Sequence, residues 1–277
     1  MKLVWQVLAV VLVGAIGGQG TTAVRDDPWL SPLLGGLTVV LCVLVYRWVV
    51  GRTERRQVTE LAPRGASAAL LRGAVVGTVM FAGVIALIAL HGDYRINGFG
   101  SLSGAIALVG FMAGAAVTEE LMFRGLLFRL AERGLGTYLA LALSGVAFGA
   151  AHLLNKDATL VGALAIAIEA GGMLAAGYAA TRSLWLPIGL HFAWNFAESG
   201  IFGTEVSGNG DTHGLLDASM SGATLVTGGE FGPEASVYAV LFGAVLMAFF
   251  LRLAHRRGRI VPRRRAGRTV ALAALAR

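Results

Sequence analysis

The chain reads as an all-α, polytopic membrane bundle of about eight transmembrane helices with a polar active-site cavity inside. Three observations predict this. Of its 277 residues 56% are hydrophobic and only 14% charged, whereas a soluble domain carries about 25% charged residues. The mean hydropathy is +0.71. Apolar stretches near the roughly 20 residues that cross a bilayer recur along the whole chain. The net charge of +7 comes from arginines at helix ends and in the tail, a pattern of membrane topology and anionic lipid rather than of nucleic acid.

The spans follow in order: 3–20, 29–50, 68–90, 101–133, 137–155, 159–180, 183–203 and 235–252. The first begins after Lys2 and is read as a retained span; the alternative is a signal peptide with small residues at Gly17 and Gly18. The second holds Cys42, the single cysteine, so no intrachain disulfide is possible. The connection at 51–67 carries Arg52, Arg55, Arg56 and Arg64, with Arg47 and Arg72 beside it. The tail carries Arg256, Arg257, Arg259, Arg263, Arg264, Arg265 and Arg268. The connection at 204–234 has no Lys or Arg, and holds Glu205, Asp211, Asp217, Glu230 and Glu234. The positive-inside rule puts the arginine-rich regions in the cytoplasm and the acidic connection outside. Eight spans in a cell membrane, with both termini cytoplasmic, satisfy every one of these assignments. Residues 1–100 then form an N-terminal set of three helices and 101–203 a catalytic core of four. Residues 204–234 form an external acidic loop whose Gly, Ser and Thr content predicts mobility. The last helix and a basic tail occupy 235–277.

Ionisable groups inside spans cost about 3 kcal/mol each at the bilayer centre and mark functional sites. The fourth span has Glu119, Glu120 and Arg124, the fifth Phe148 and His152, the seventh His191 and Asn195. Leu126, Leu127, Phe128 and Leu130 keep the fourth helix apolar up to Arg133. Counted from the arginine-rich ends, Glu119, His152 and Asn195 all lie about 20 Å along their helices and His191 one turn less, so they can share one level. Glu120 and Arg124 are i, i+4 and can neutralise each other. Glu119 has no basic residue four positions away. His191 and Asn195 share a helix face, and Phe148 can wall the imidazole of His152.

This residue set suits hydrolysis. A carboxylate in an apolar site can act as a general base, imidazole can share its proton, and an amide and a second imidazole can donate to an oxyanion. Ser144, two turns before His152, has no evident base. A zinc site made of Glu119, His152 and His191 is the competing use, although H-E-x-x-H is absent.

Glu119-Glu120-x-x-x-Arg124, Phe148-x-x-x-His152 and His191-x-x-x-Asn195 resemble the three motifs of the CPBP family of intramembrane proteases. This group contains the CAAX prenyl protease 2 and bacteriocin-processing enzymes, and is related to the Abi and lysostaphin-resistance proteins. The resemblance covers 104–200, including Ser183-Leu184-Trp185-Leu186-Pro187. It implies a glutamate-dependent endopeptidase with eight helices, no metal, and a cavity open to the cytoplasm. It further implies that Glu119 and His152 activate water, that His191 and Asn195 stabilise the oxyanion, and that Glu120 and Arg124 support the site. Glu169, outside the motifs, is expected to pair with Arg182 or a catalytic histidine, or to be a buried structural carboxylate. The Arg-, Ala- and Gly-rich composition resembles that of a high-GC bacterium. The expected partners are membrane lipid and a peptide or protein substrate with an apolar or membrane-proximal segment. Two other readings stay open: a non-catalytic immunity or scaffold protein of the same fold, and a proton- or ion-coupled transporter.

Overall fold

The computed structural model describes residues 2–210 and 214–263; Asp211, Arg264, Arg265 and Arg268 lie outside the described residues. Helices dominate, as the apolar stretches require. The first three spans are α1 Lys2–Ala23, α2 Leu30–Glu54 and α3 Ala66–Leu90. A strand, β1 Tyr94–Phe99, then leads into α4 Leu102–Glu120, which widens into a π-helix over Leu121–Phe128 and continues as α5 Arg129–Ala151. Next come α6 Leu160–Ile166, a π-helical stretch Ala167–Gly172 and α7 Met173–Thr181. The seventh span joins α8 Trp185–Asn195 to a π-helix Phe196–Ile201. The acidic connection carries β2 Leu216–Met220 and the short α9 Thr224–Thr227, and α10 Val237–Arg256 is the last span.

Among the described residues, six stretches are long and apolar enough to cross a membrane, and one of these, Leu102–Leu154, is 53 residues long. It is not one straight rod. Gly136 has φ 77° and ψ 169°, outside helical geometry. Ser144 Oγ donates to Phe123 O at 3.2 Å, although 21 residues of continuous helix would separate the two by about 32 Å. The chain therefore turns back at Gly136 and makes two antiparallel spans. Trp185–Ile201 is shorter than the six; taken as a crossing, it brings the path to the eight expected.

This path gives the bundle two faces. One, the arginine face, gathers 51–66, 129–137, 180–185 and 256–263. Glu54 accepts from Arg129 Nη2 at 2.6 Å and Arg133 Nη2 at 2.8 Å. Arg56 donates to Glu60, and Tyr46 Oη to both Glu60 and Gly125 O. Burial is the largest single effect and raises the Glu60 carboxyl, but the hydrogen bonds from Arg56, the backbone and Tyr46, with the charge of Arg56, together outweigh it and hold the group below the usual carboxylate range. Arg182 pairs with Glu132.

The other, the loop face, gathers 24–29, 91–101, 152–159 and 202–236. Spans leaving it begin with hydroxyl caps: Ser101 accepts from Gly104 N, Thr159 from Gly162 N and Ser236 from Ala239 N, each satisfying a free amide of a first turn. β1 pairs antiparallel with β2, fastening the acidic connection to the start of the fourth span. Its Gly-rich composition predicts mobility, but Thr204, Val206, Ser207, Phe231 and Glu234 are buried.

Small residues let the helices approach closely. A Cβ on Gly77 would sit 2.4 Å from Leu190 O, and one on Gly189 2.2 Å from Leu70 O, so α3 and α8 touch backbone to backbone, as packing within lipid favours. α7 is the central helix, buried from Met173 to Ala180. Leu37, Leu41, Leu44 and Trp48 of α2 face outward, as lipid contact requires.

Candidate active site

The widened turn after Glu120 begins the site. Arg124 is fully buried and its Nη1 donates to Glu120 Oε1 at 2.6 Å, also fully buried. Its Nη2 reaches Ala170 O at 2.9 Å and Gly171 O at 3.2 Å. Those carbonyls belong to the π-helical stretch of the sixth span, where the shifted backbone register leaves oxygens for side-chain donors. The guanidinium lies over the ring of Phe148, 4.4 Å from its centroid, a cation–π contact. Phe148 packs edge-on against Phe123, with centroids 5.0 Å apart.

His191 completes this cluster from the seventh span. Its Nδ1 is 3.0 Å from Glu120 Oε1 and its Nε2 3.8 Å from Glu119 Oε2. A carboxylate only accepts, so Nδ1 carries a proton; Nε2 can then donate only when the ring is imidazolium. Glu120 thus holds both Arg124 and His191. Glu119 is left with a buried oxygen, Oε2, that accepts no hydrogen bond.

His152 closes α5. Its Nδ1 lies 2.8 Å from Phe148 O; since a carbonyl only accepts, Nδ1 is the protonated nitrogen and neutral His152 offers Nε2 as a base. The Phe148 ring sits 4.8 Å from the imidazole centroid, the wall expected from their spacing. A cavity of about 480 Å³ brings Glu119, His152 and Asn195 to one surface, so the residues judged to be level share a space. A second cavity of about 190 Å³ reaches Glu119 from between α1, α2 and α4. Among the described residues, no group of three or more His, Cys, Asp or Glu side chains is arranged to hold a metal ion. Ser144 is occupied by Phe123 O.

Of the readings for Glu169, the buried carboxylate holds and the pair with Arg182 does not, since the partner of Arg182 is Glu132. Both Glu169 oxygens are buried and accept no hydrogen bond. Glu169 lines a small cavity, near the volume of one water, together with Phe148, His152, His191, Asn195 and Glu234. The reason is positional: Glu169 sits in the π-helical stretch, pressed against Gly243 of α10, far from the arginine face where Arg182 lies. The large cavity does not open on the arginine face. It opens on the loop face, among Thr22, Arg25, Asp26, Asn155 and Asn209, because the ion pairs above fill the other end.

Three neighbours escape a motif-based reading. Glu198 is fully buried, and neither of its carboxyl oxygens has a hydrogen-bond partner. Glu234 accepts from Trp194 Nε1 at 3.1 Å and from Ser207 Oγ, tying the acidic connection to the seventh span behind Asn195. The sequence does carry a signal for Glu198, a carboxylate inside an apolar span. It carries none for Glu234 or Ser207, which sit among other polar residues.

Fold and site together define a bundle of apolar helices that clusters two carboxylates, an arginine, two imidazoles and an amide; Glu119, His152 and Asn195 line the large cavity, whereas His191 lies behind it on the small one. Residues 101–197 match the family model described as Rce1-like, type II CAAX prenyl endopeptidase Rce1-like. That segment, about a third of the chain, contains all three motifs and is similar to that family of prenyl endopeptidases. No curated protein and no solved structure matches the chain.

Proposed function

We propose that the chain is an intramembrane glutamic endopeptidase that cleaves a peptide bond with water activated by Glu119 and His152. The observation that carries this reading is the free buried oxygen of Glu119 at the wall of a cavity it shares with His152 and Asn195. A water held between Glu119 and His152 Nε2 attacks the scissile carbonyl and gives up one proton to this pair. The developing oxyanion takes hydrogen bonds from the Asn195 amide and from His191 Nε2 in its imidazolium form. As the tetrahedral intermediate collapses, the C–N bond breaks, the proton passes to the departing amine, and the new carboxyl group retains the water oxygen. Glu120 and Arg124 orient His191 and keep the local charge balanced. Glu169 is placed to hold a water behind the two histidines.

Glu119, His152 and His191 are the alternative zinc ligand set, and chelation with elemental analysis separates that mechanism from the glutamate one. Glu119 weighs against an immunity or scaffold protein, which has no use for a carboxylate that borders a cavity with an oxygen accepting no hydrogen bond. The test is turnover by purified Glu119→Gln, which keeps the volume and removes the base. Cleavage of a quenched-fluorescent peptide should fall by about 10²–10⁴-fold, the range of a positioned general base. Turnover at the unaltered rate would overturn the proposal.

A further inference from the structure

The direction of the large cavity bears on where substrate comes from. On α4, Gly104, Ala107, Phe111, Ala115 and Glu119 line it turn by turn from mouth to floor. Among the described residues, its lining comes from mid-membrane positions and from the loop face; none comes from 51–66, 129–137, 180–185 or 256–263. The arginine face is closed by Glu54 with its arginines, by Tyr46 on Gly125 O, and by Arg182 with Glu132.

Charge gives the two faces their sides of the membrane. Described basic residues on the loop face are Arg25, Arg95 and Lys156, against Asp26, Asp27, Asp93, Asp157, Glu205, Asp217, Glu230 and Glu234. The arginine face carries Arg52, Arg55, Arg56, Arg64, Arg129, Arg133, Arg182, Arg256, Arg257 and Arg259. By the positive-inside rule the arginine face is cytoplasmic, and the mouth of the cavity is on the far side.

We propose that the site is entered from the extracytoplasmic side, and that its substrate is an extended apolar peptide segment presented there rather than the terminus of a cytoplasmic protein. From Gly104 to Glu119 is about 22 Å along the helix, a depth that a folded domain cannot reach and an extended chain can. The volume of about 480 Å³ is within the usual range for ligand sites, about 300–1,000 Å³. The walls along α4 are small or apolar. At the mouth Arg25 and Asp26 lie 4.0 Å apart and face each other, so the rim offers no net charge to select a charged substrate. The cleavage step rests on the hydrolytic reading above; the side of entry does not.

Cysteine labelling in intact cells reads the side of entry directly. Cys42→Ala provides a background without thiols. Ala115→Cys then places one on the cavity wall, a turn from Glu119, and Gln57→Cys one on the arginine face. A charged, membrane-impermeant thiosulfonate added outside should modify Ala115→Cys at once and Gln57→Cys only after permeabilisation. A thiol at 115 that reacts only after permeabilisation, or under neither condition, overturns the proposal. In parallel, a single-span test protein displays a Leu- and Ala-rich juxtamembrane segment either outside or inside. Cleavage of the outside version is expected, and cleavage of the inside version alone overturns the proposal. If neither is cleaved while 115 reacts from outside, the hydrolytic reading falls and the route of entry stands.

Discussion

Glu119 and Glu120 are neighbours in the chain with opposite circumstances. Glu120 is fully buried and bonded to Arg124 and His191; Glu119 borders the cavity with an oxygen to spare. Consecutive helical positions point about 100° apart, so one carboxylate turns into the bundle and the other onto the cavity wall. Removing Glu120 strands a buried guanidinium. Glu120→Ala should cost about 3–5 kcal/mol, read as a lower melting temperature or failure to accumulate in the membrane; equal stability would show that the pair is not structural. His191 separates glutamate chemistry from metal chemistry. As an oxyanion donor it is partly replaceable, because an amide also donates, so His191→Asn should keep measurable activity. Wild-type turnover should survive exhaustive chelation. Elemental analysis that finds one zinc per chain, lost with activity in His191→Asn, would instead make Glu119, His152 and His191 ligands. At this scale the sequence is informative because charge in an apolar stretch is conspicuous and helical spacing fixes which groups share a face. It cannot show that His191 Nδ1 bonds Glu120, since that contact joins residues 71 positions apart.

At the scale of elements, three π-helical stretches stand where the polar groups are: after Glu120, around Glu169 and after Asn195. Each widens a helix, and two of them supply carbonyl oxygens to buried side chains: Gly125 O to Tyr46 and Arg129, Ala170 O and Gly171 O to Arg124. These stretches were not legible in the sequence, because hydropathy has the same profile for an α- and a π-helical turn. The reversal between the fourth and fifth spans was legible to within a few residues, from the arginine and glycines at 133–136; the structure places it at Gly136. Its φ of 77° suits glycine alone, and a Cβ would lie 2.7 Å from Arg263 N. Gly136→Ala should therefore destabilise the protein by about 1–3 kcal/mol. Gly134 is the control, exposed and helical, with open space where a Cβ would sit. Gly134→Ala should be neutral or stabilising by up to about 1 kcal/mol. Equal melting temperatures for the two variants would mean that the backbone at Gly136 is not constrained.

The whole molecule is asymmetric along the membrane normal, with a cavity open on one face and a closed ion-pair network on the other. The sequence carries the charge asymmetry but not the cavity's direction, which depends on side chains from segments far apart in the chain. Closure of the arginine face depends on carboxylates remaining ionised. Burial raises the Glu60 carboxyl, yet the hydrogen bonds from Arg56, the backbone and Tyr46 together bring it below the ordinary value. A group whose folded value is depressed stabilises the fold above its unfolded value, about 4.3, and loses that contribution as pH falls through the lower folded value. The expected result is a protein stable from neutrality down to about pH 5, with a melting temperature that drops steeply below about pH 4. Glu60→Gln removes the titrating group, so it should be less stable at neutral pH and lose less on acidification. Melting curves of the detergent-solubilised protein and this variant, at neutral pH and below about pH 4, provide the test. Parallel acid losses in both would assign the lability to other groups and leave Glu60 a passive part of the closed face.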